Sequence, residues 1–307
     1  MRQNFLVLEI TDKCMLNCSH CFKKDRKDFH VPVEHIKDRM RAVLSEVSAI
    51  VLSGGEPFLH PHLEEIIEAA TKERKHVAIT TNGLILKENI QILTSYVDQV
   101  TILCSLDYPD GRHDYHRGFS GLIKLIKESL TSLKRADVET RILSTILSDN
   151  CYPSDIQGLI RFSKKYCNSH TGETILFQRY FPIYGGPQPL TAKQFSEAIE
   201  AINRYSREES VGARVIDNLY FHDVARCLER YFCSTDGEWS ICRFSPFRFR
   251  NLSMLKDFKR MLPKIPEDCE GCRYAEQCRG GCLAYRASFC ERGLGGKDCL
   301  CSGPYAE

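Results

Sequence analysis

From residue 4 to residue 181, the chain alternates short apolar segments with longer amphipathic ones, and this alternation constrains its fold more than any other feature. Six segments have the length and apolar character of buried strands, at 4–10, 49–53, 77–81, 99–107, 139–147 and 174–181. Helical spacing of apolar residues occurs at 33–47, 61–74, 87–96, 119–135 and 154–166. Repeated strand–helix units predict a parallel sheet with helices outside it. Because a closed barrel has eight such units, we predict an α/β fold with a curved, partly open barrel, and chemistry at the carboxyl ends of its strands.

The cysteines point to metal binding rather than to disulfides. The 307 residues include 16 cysteines, with no secretion signal and no apolar stretch of about 20 residues that would span a membrane. We therefore expect a cytoplasmic protein, and a reducing cytosol disfavours structural disulfides. The net charge of +2 gives no reason to expect nucleic-acid or membrane binding. The cysteines concentrate near the two ends of the chain, so the candidate metal sites lie there.

The first group, Cys14, Cys18 and Cys21, follows the first predicted strand with the spacing CxxxCxxC. Thiolates are the natural ligands of iron–sulfur clusters, and a 4Fe–4S cubane takes four of them. This loop supplies three, which would leave one iron open to an external ligand. The alternatives are a zinc site, which usually combines CxxC pairs, or unrelated core cysteines.

The loop resembles the cluster motif of the radical S-adenosylmethionine (SAM) superfamily, with His20 where its members usually have an aromatic residue. Gly54-Gly55-Glu56-Pro57 follows the second strand and resembles the family's GGEP motif, which binds the amino group of SAM. Two glycines let the backbone approach a ligand, and a carboxylate pairs with an ammonium group. Thr81-Asn82-Gly83 ends the third strand. Ser105-Leu106-Asp107 ends the fourth strand, where relatives contact the ribose and the methionine carboxylate of SAM. The resemblance implies SAM contacts at Gly54, Gly55, Glu56, Pro57, Asn82, Ser105 and Asp107, with turn capping as the alternative role for Asn82 and Asp107.

The tail contains Cys227-x9-Gly237-x4-Cys242, followed by Cys269-x2-Cys272-x5-Cys278-x3-Cys282. This pattern resembles the SPASM extension, whose members hold one or two auxiliary 4Fe–4S clusters. By that resemblance the inner cluster would use Cys227, Cys242, Cys282 and, as our choice of fourth ligand, Cys233. The outer cluster would use Cys269, Cys272, Cys278 and Cys299, the last in preference to Cys301. Structural zinc is the alternative for these thiols. Asp236-Gly237 lies between two strand-like runs and predicts a β-hairpin with a type I′ turn.

Residues for the chemistry that follows SAM cleavage are less constrained. Sulfatase-maturing members carry an aspartate directly after the cysteine equivalent to Cys242, but here the residue is Arg243, which cannot accept a proton. Formylglycine formation is therefore disfavoured. Epimerising members need a thiol that quenches a carbon radical, and Cys290 is a spare thiol in the tail. Arg179 is polar within an apolar strand, which favours substrate contact, with a buried structural salt bridge as the alternative.

These features predict a partial (β/α)6 TIM-like barrel at 1–190, a bridging helix and linker at 191–222, and a small SPASM-type domain at 223–307. By family analogy, we expect a 5′-deoxyadenosyl radical to abstract hydrogen from a ribosomally made peptide, leading to crosslinking, epimerisation or oxidation. Family analogy further implies a reductase such as flavodoxin or ferredoxin. Because little chain precedes the first strand, we also expect either a separate leader-recognition protein or a substrate that is small or leaderless. The enzyme alternative is a dehydrogenase or mutase of a small-molecule intermediate. An iron–sulfur electron carrier and a zinc-stabilised binding module are alternatives outside catalysis.

Overall fold

A single open sheet organises the protein. The computed structural model describes residues 4–23, 26–183, 186–216, 230–262 and 265–301. The sheet has nine strands in the order β7-β6-β5-β4-β3-β2-β1-β8-β9. Every neighbouring pair is parallel except β8 and β9. The strands are β1 Phe5–Thr11, β2 Ala49–Gly54, β3 His76–Thr81, β4 Val100–Ser105, β5 Glu139–Ile146, β6 Glu173–Arg179, β7 Gly212–Val215, β8 Arg230–Cys233 and β9 Trp239–Ser240.

Helices connect the parallel strands and bury one apolar face each. In the connection between β4 and β5, for example, Leu122, Ile126 and Leu130 recur every four residues and are fully buried. The predicted α/β fold with an incomplete barrel is thus confirmed. The helices are α1 Val33–Arg41, α2 Leu63–Lys72, α3 Ile90–Thr94, α4 Arg112–Arg117, α5 Leu122–Arg135, α6 Pro153–Tyr166, α7 Ala192–Glu208, α8 Leu252–Met261, α9 Ala275–Cys278 and α10 Leu283–Phe289.

The stretch expected to be a bridging helix and linker extends the sheet. Thr191 and Gln194 form a capping box that begins α7, with Thr191 Oγ1 accepting from the Gln194 N–H at 3.2 Å. The chain then returns through β7, which pairs with β6. The described part of this stretch therefore adds another helix–strand unit to the barrel.

The tail joins the sheet at its other edge through the predicted hairpin. Strand β8 pairs in parallel with β1 and antiparallel with β9. The turn is not type I′, which needs positive φ at two residues. In this turn, only Gly237 has a positive φ, of 84°. Its N–H closes the turn by donating to the Ser234 carbonyl at 3.0 Å.

A buried ion pair connects the barrel to the end of the tail. Arg179 on β6 lies 2.8 Å from Asp298, and both side chains are fully buried. The Arg179 guanidinium also lies 5.1 Å from the centroid of the Phe195 ring and 4.8 Å from that of the Tyr285 ring. Within the residues described, no helix has the length and apolar character needed to cross a membrane.

Candidate functional site

The carboxyl ends of the strands surround a cavity that contains the first cysteine loop. Cys14, Cys18 and Cys21 line this cavity together with Gly54 and Gly55. The loop is held against the end of β2, because the Gly55 N–H donates to Thr11 O at 2.7 Å and the Glu56 N–H donates to Lys13 O at 2.8 Å. Both sequence motifs therefore meet in one place.

The two glycines are needed mainly for this packing. A Cβ on Gly54 would lie 2.2 Å from Thr11 O, and one on Gly55 would lie 2.1 Å from Lys13 O. Gly54 also has a φ of 135°, which favours glycine. Any side chain here would push the cysteine loop away from β2.

Glu56 has a different position from the one predicted for a SAM ligand. Its side chain is fully buried and does not line the cavity. Its oxygens accept from Asn82 N at 2.8 Å, Thr81 Oγ1 at 2.9 Å and Phe58 N at 3.3 Å. Burial raises the pKa of Glu56 to about 7 against these hydrogen bonds. Glu56 thus joins β2 to β3, and the buried Pro57 beside it begins a single 3₁₀ turn rather than facing the cavity.

Asn82 and Ser105 line the cavity as expected, but Asp107 does not. Strand β4 ends at Ser105, so the alternation that would aim Asp107 inward stops before it. Asp107 instead accepts from Arg117 Nε at 2.9 Å and Nη2 at 2.6 Å. Against the effect of burial, Arg117 holds the pKa of the Asp107 carboxyl well below its usual range. Asn82 donates through Nδ2 to Cys14 Sγ at 3.7 Å.

Short helix α4, which the sequence analysis did not predict, brings further residues to the cysteine loop. The ring of His116 stacks on that of His20 with centroids 4.5 Å apart and planes 8° apart. Arg117, also from α4, donates through Nη1 to Cys18 Sγ at 3.8 Å. An aromatic residue is usual at the position of His20, and this indicates from the sequence that the ring stacks on another group. The sequence does not identify His116 as the partner.

Beside Phe22, the wall of the cavity combines a guanidinium with aromatic rings. Arg243 lines the cavity, donates to Ser53 Oγ and lies 5.2 Å from the centroid of the Phe22 ring. Phe181 and Phe244 stack with centroids 4.1 Å apart. The lining also includes Arg26, Arg117 and Arg179 and no carboxylate among the described residues. Arg243, which stands where sulfatase-maturing members carry an aspartate, therefore borders the cavity.

Arg179 does not have the free guanidinium expected of a substrate contact. It lies at the cavity, but its Nη1 donates to both carboxylate oxygens of Asp298, at 2.8 and 3.1 Å. The alternative of a buried structural salt bridge is therefore the correct one. The neighbouring Gln178 lines the same cavity and donates to Thr145 Oγ1 at 3.1 Å.

In the tail, the structure gathers a slightly different set of thiols from the predicted outer set. Burial and the thiols of Cys301 and Cys272 raise the pKa of Cys269. Burial raises the pKa of Cys278 to about 11, with Cys301 again contributing. Cys301 therefore lies near Cys269 and Cys278, which makes it a candidate for the position predicted for Cys299.

Cys299 and Cys290 are joined to each other by a disulfide. The short segment after α10 brings Cys299 against Cys290. Cys299 as the fourth ligand of the outer cluster and Cys290 as the hydrogen donor stay predictions. Neither residue lines the cavity.

The predicted inner set is only partly described. Cys227 lies outside the described residues. Cys233 is buried, which raises its pKa to about 11. Its role as the fourth ligand stays a prediction. Cys282 directly precedes α10, and its N–H donates to Asp298 Oδ2 at 3.1 Å. Cys242 directly precedes Arg243, which lines the cavity.

Comparison with known proteins identifies the first half of the chain. Residues 8–152 match the profile of the Radical SAM superfamily. The chain therefore contains a Radical SAM domain. It combines this domain with a cysteine-rich C-terminal region. The cofactors characteristic of the superfamily are a 4Fe–4S cluster and SAM, and the site suits them, since three thiols converge on one cavity and accept N–H hydrogen bonds.

The radical SAM domain is similar to proteins of two kinds. It is 28% identical over 149 residues to the antilisterial bacteriocin subtilosin biosynthesis protein AlbA of Bacillus subtilis (strain 168), covering 47% of this chain and 33% of that protein. It is 29% identical over 164 residues to a probable GTP 3′,8-cyclase of Methanococcus maripaludis (strain C7 / ATCC BAA-1331), covering 52% and 54% of the two chains. The match thus spans about a third to a half of these relatives.

The likeness to a solved structure extends over almost the whole chain. Streptococcus suis SuiB bound to the precursor peptide SuiA has a TM-score of 0.79 with this protein, covering 98% of this chain and 76% of that chain. Sequence identity is 15%, so this likeness describes the fold. The barrel and the tail are thus arranged as in that structure.

Proposed function

We propose that this protein is a radical SAM enzyme that modifies a ribosomally made peptide. The observation that carries the proposal is that the thiols of Cys14, Cys18 and Cys21 share one cavity with the backbone of Gly54 and Gly55. When bound there, a reduced 4Fe–4S cluster and SAM would supply the 5′-deoxyadenosyl radical that abstracts hydrogen from carbon. The protein residues contribute binding, orientation and exclusion of water.

Each side of the cavity has a distinct part in this proposal. The three cysteines hold the cluster, and the Gly54–Gly55 backbone, Asn82 and Ser105 border SAM. The remaining wall, with Gln178, Arg243 and the rings of Phe181 and Phe244, faces the substrate. These rings limit access of water, which protects a reactive intermediate.

The tail would hold auxiliary clusters. Cys269, Cys272, Cys278 and Cys301 form one candidate ligand set, supported by their mutual electrostatic effects. Cys242 and Cys282 remain candidates for a second set with Cys227. Since the same thiols can bind zinc, the ratio of iron to sulfide decides between the two metals.

The peptide substrate is proposed by analogy with relatives whose names include a bacteriocin biosynthesis protein and a precursor-peptide complex. Fold-level analogy alone is a weak argument for function, so the substrate needs a direct test. A leader-recognition protein and a flavodoxin- or ferredoxin-type reductase complete the proposed system in the cytosol.

The test uses anaerobically reconstituted protein with SAM, dithionite and synthetic peptides encoded beside its gene, in heavy water. Formation of 5′-deoxyadenosine supports the radical SAM activity. A peptide mass gain of about one unit would indicate epimerisation, and a loss of about two would indicate crosslinking or oxidation, because these outcomes differ in the atom that quenches the radical.

Cys18→Ala removes one of three cluster ligands and should lower 5′-deoxyadenosine formation at least about 100-fold. The matched control is Cys167→Ala, which truncates a buried core thiol and should retain the activity. Equal activity of the two variants would contradict the cluster assignment. Zinc in place of iron and sulfide would contradict the enzyme proposal as a whole.

The second candidate is a radical SAM enzyme that acts on a small molecule. Two observations favour it. One is the similarity to a probable GTP 3′,8-cyclase, and the other is the pair of guanidinium groups of Arg26 and Arg243 at a cavity with no carboxylate among its described lining residues, which suits an anionic ligand. The same assay separates the candidates. Formation of 5′-deoxyadenosine without any change in the peptides would favour the small molecule.

A further inference from the structure

Each thiol of the cysteine loop accepts a hydrogen bond from a different part of the fold. The Lys23 backbone N–H donates to Cys21 Sγ at 3.4 Å. Asn82 Nδ2, after β3, donates to Cys14 Sγ at 3.7 Å, and Arg117 Nη1, on α4, donates to Cys18 Sγ at 3.8 Å. Among these three donors, only Arg117 carries a charge.

Arg117 is held in this position by a buried ion pair. Its Nε and Nη2 donate to Asp107 Oδ2 at 2.9 and 2.6 Å, which leaves Nη1 directed to Cys18. The other oxygen of Asp107 accepts from Thr145 N at 3.0 Å, so the carboxylate is itself fixed. Arg117 is 7% exposed and Asp107 is fully buried, so water screens their charges weakly.

Hydrogen bonds to cluster sulfurs and nearby charges set the reduction potential of iron–sulfur clusters. A cation and an N–H donor beside a thiolate stabilise the more negative, reduced state and so raise the potential. A buried carboxylate beside that cation has the opposite effect. Arg117 and Asp107 therefore act on the same ligand with opposite sign.

We propose that Arg117 is a positioning residue that raises the reduction potential of the cluster on Cys14, Cys18 and Cys21, with Asp107 orienting it and moderating its charge. The inference rests on the proposed function, because it requires the cluster at these three cysteines. It assigns the buried pair to the cluster rather than to SAM.

The test is a redox titration of the reconstituted full chain with dithionite, monitored by electron paramagnetic resonance. Addition of SAM identifies the signal of the N-terminal cluster, since that signal changes on binding. We expect Arg117→Gln to lower the ratio of reduced to oxidised cluster about tenfold at a fixed potential, a shift of about 59 mV for one electron. Asp107→Asn should shift the potential in the opposite direction.

Arg141→Gln is the matched control and should leave the potential unchanged. This arginine pairs with Glu139 and Glu173 near the amino ends of β5 and β6. The cavity lies at the other, carboxyl ends of the strands. Arg117→Lys keeps the charge but loses the fork, so it should shift the potential downward by less than Arg117→Gln. If Arg117→Gln does not take up iron, the lysine variant and Asp107→Asn carry the comparison.

Two failures are distinguishable. A wild-type protein with no SAM-responsive cluster would contradict the proposed function. A normal wild-type signal, with Arg117 and Asp107 variants that shift it in the same direction or not at all, would overturn this inference alone.

Discussion

Glu56 belongs to a motif expected to bind a ligand, yet its carboxyl group is buried and accepts from three donors. Burial raises its pKa from 4.5 to about 7. The folded state therefore keeps a proton that the unfolded chain releases between these two values. Its contribution to stability is fully present below about pH 4.5 and is lost as the pH rises through about 7.

Glu56→Gln removes this titration. From pH 5 to pH 8, we expect the wild type to lose stability relative to the variant by up to about 3 kcal/mol, from 1.36 kcal/mol per pKa unit. Urea denaturation of both proteins under anaerobic conditions at several pH values measures the difference, and other titrating groups cancel in it. A stability difference that stays constant over this pH range would show that Glu56 does not titrate there.

Residue types and spacing predicted well which residues surround the cavity. They predicted less well which groups these residues contact. Ser105 and Asn82 line it, but Asp107 turns away because β4 ends at Ser105. The sequence pattern extends a strand through any apolar run. It cannot show that Arg117, ten residues later, forms an ion pair with the Asp107 carboxylate. The same limit applies to Arg179, whose partner Asp298 lies 119 residues away.

The contact between the cysteine loop and the end of β2 is the element that the geometry constrains most. Gly55→Ala would place a Cβ 2.1 Å from Lys13 O, and backbone atoms on both sides leave little room to relax. We expect the variant to lose iron from the N-terminal site and at least about tenfold in 5′-deoxyadenosine formation, since shifts of about 1 Å in positioning elements have such effects. Iron analysis and the activity assay measure both.

Gly111→Ala is the matched control for this element. A Cβ on Gly111 would meet nothing within 4 Å, and its φ of −60° suits alanine. Its stability should stay within about 1 kcal/mol of the wild type, with full iron content. Equal iron loss in both variants would mean that glycine-to-alanine changes act through general destabilisation.

Long periodic elements were predicted well from sequence, and short ones were not. Amphipathic helices such as α5 and α6 match the predicted spans to within a few residues, because their apolar spacing repeats over several turns. Helix α4 has six largely polar residues and β7 has four, so neither has a readable period. Their positions depend on the sheet that they join, which only the whole fold provides.

At the scale of the whole molecule, the barrel and the tail are connected by Asp298. This carboxylate accepts from Arg179 on β6, from Cys282 N at 3.1 Å and from Leu300 N at 3.0 Å. It therefore joins a barrel strand to the two tail segments that carry Cys282 and Cys301. A buried pair of this kind is costly to break, because the remaining charge has no partner.

Asp298→Ala should lower the free energy of unfolding by about 3–5 kcal/mol, the usual cost of leaving one buried charge of a pair uncompensated. Iron content should fall as well, because Cys282 and Cys301 lose their shared anchor. Asp257→Ala is the control: its pair with Arg260 is exposed, and such pairs contribute about 1 kcal/mol or less. Anaerobic denaturation and iron analysis measure the two effects. If Asp298→Ala were as stable as Asp257→Ala, the tail would be held to the barrel by its apolar contacts, and the ion pair would add nothing measurable to that attachment.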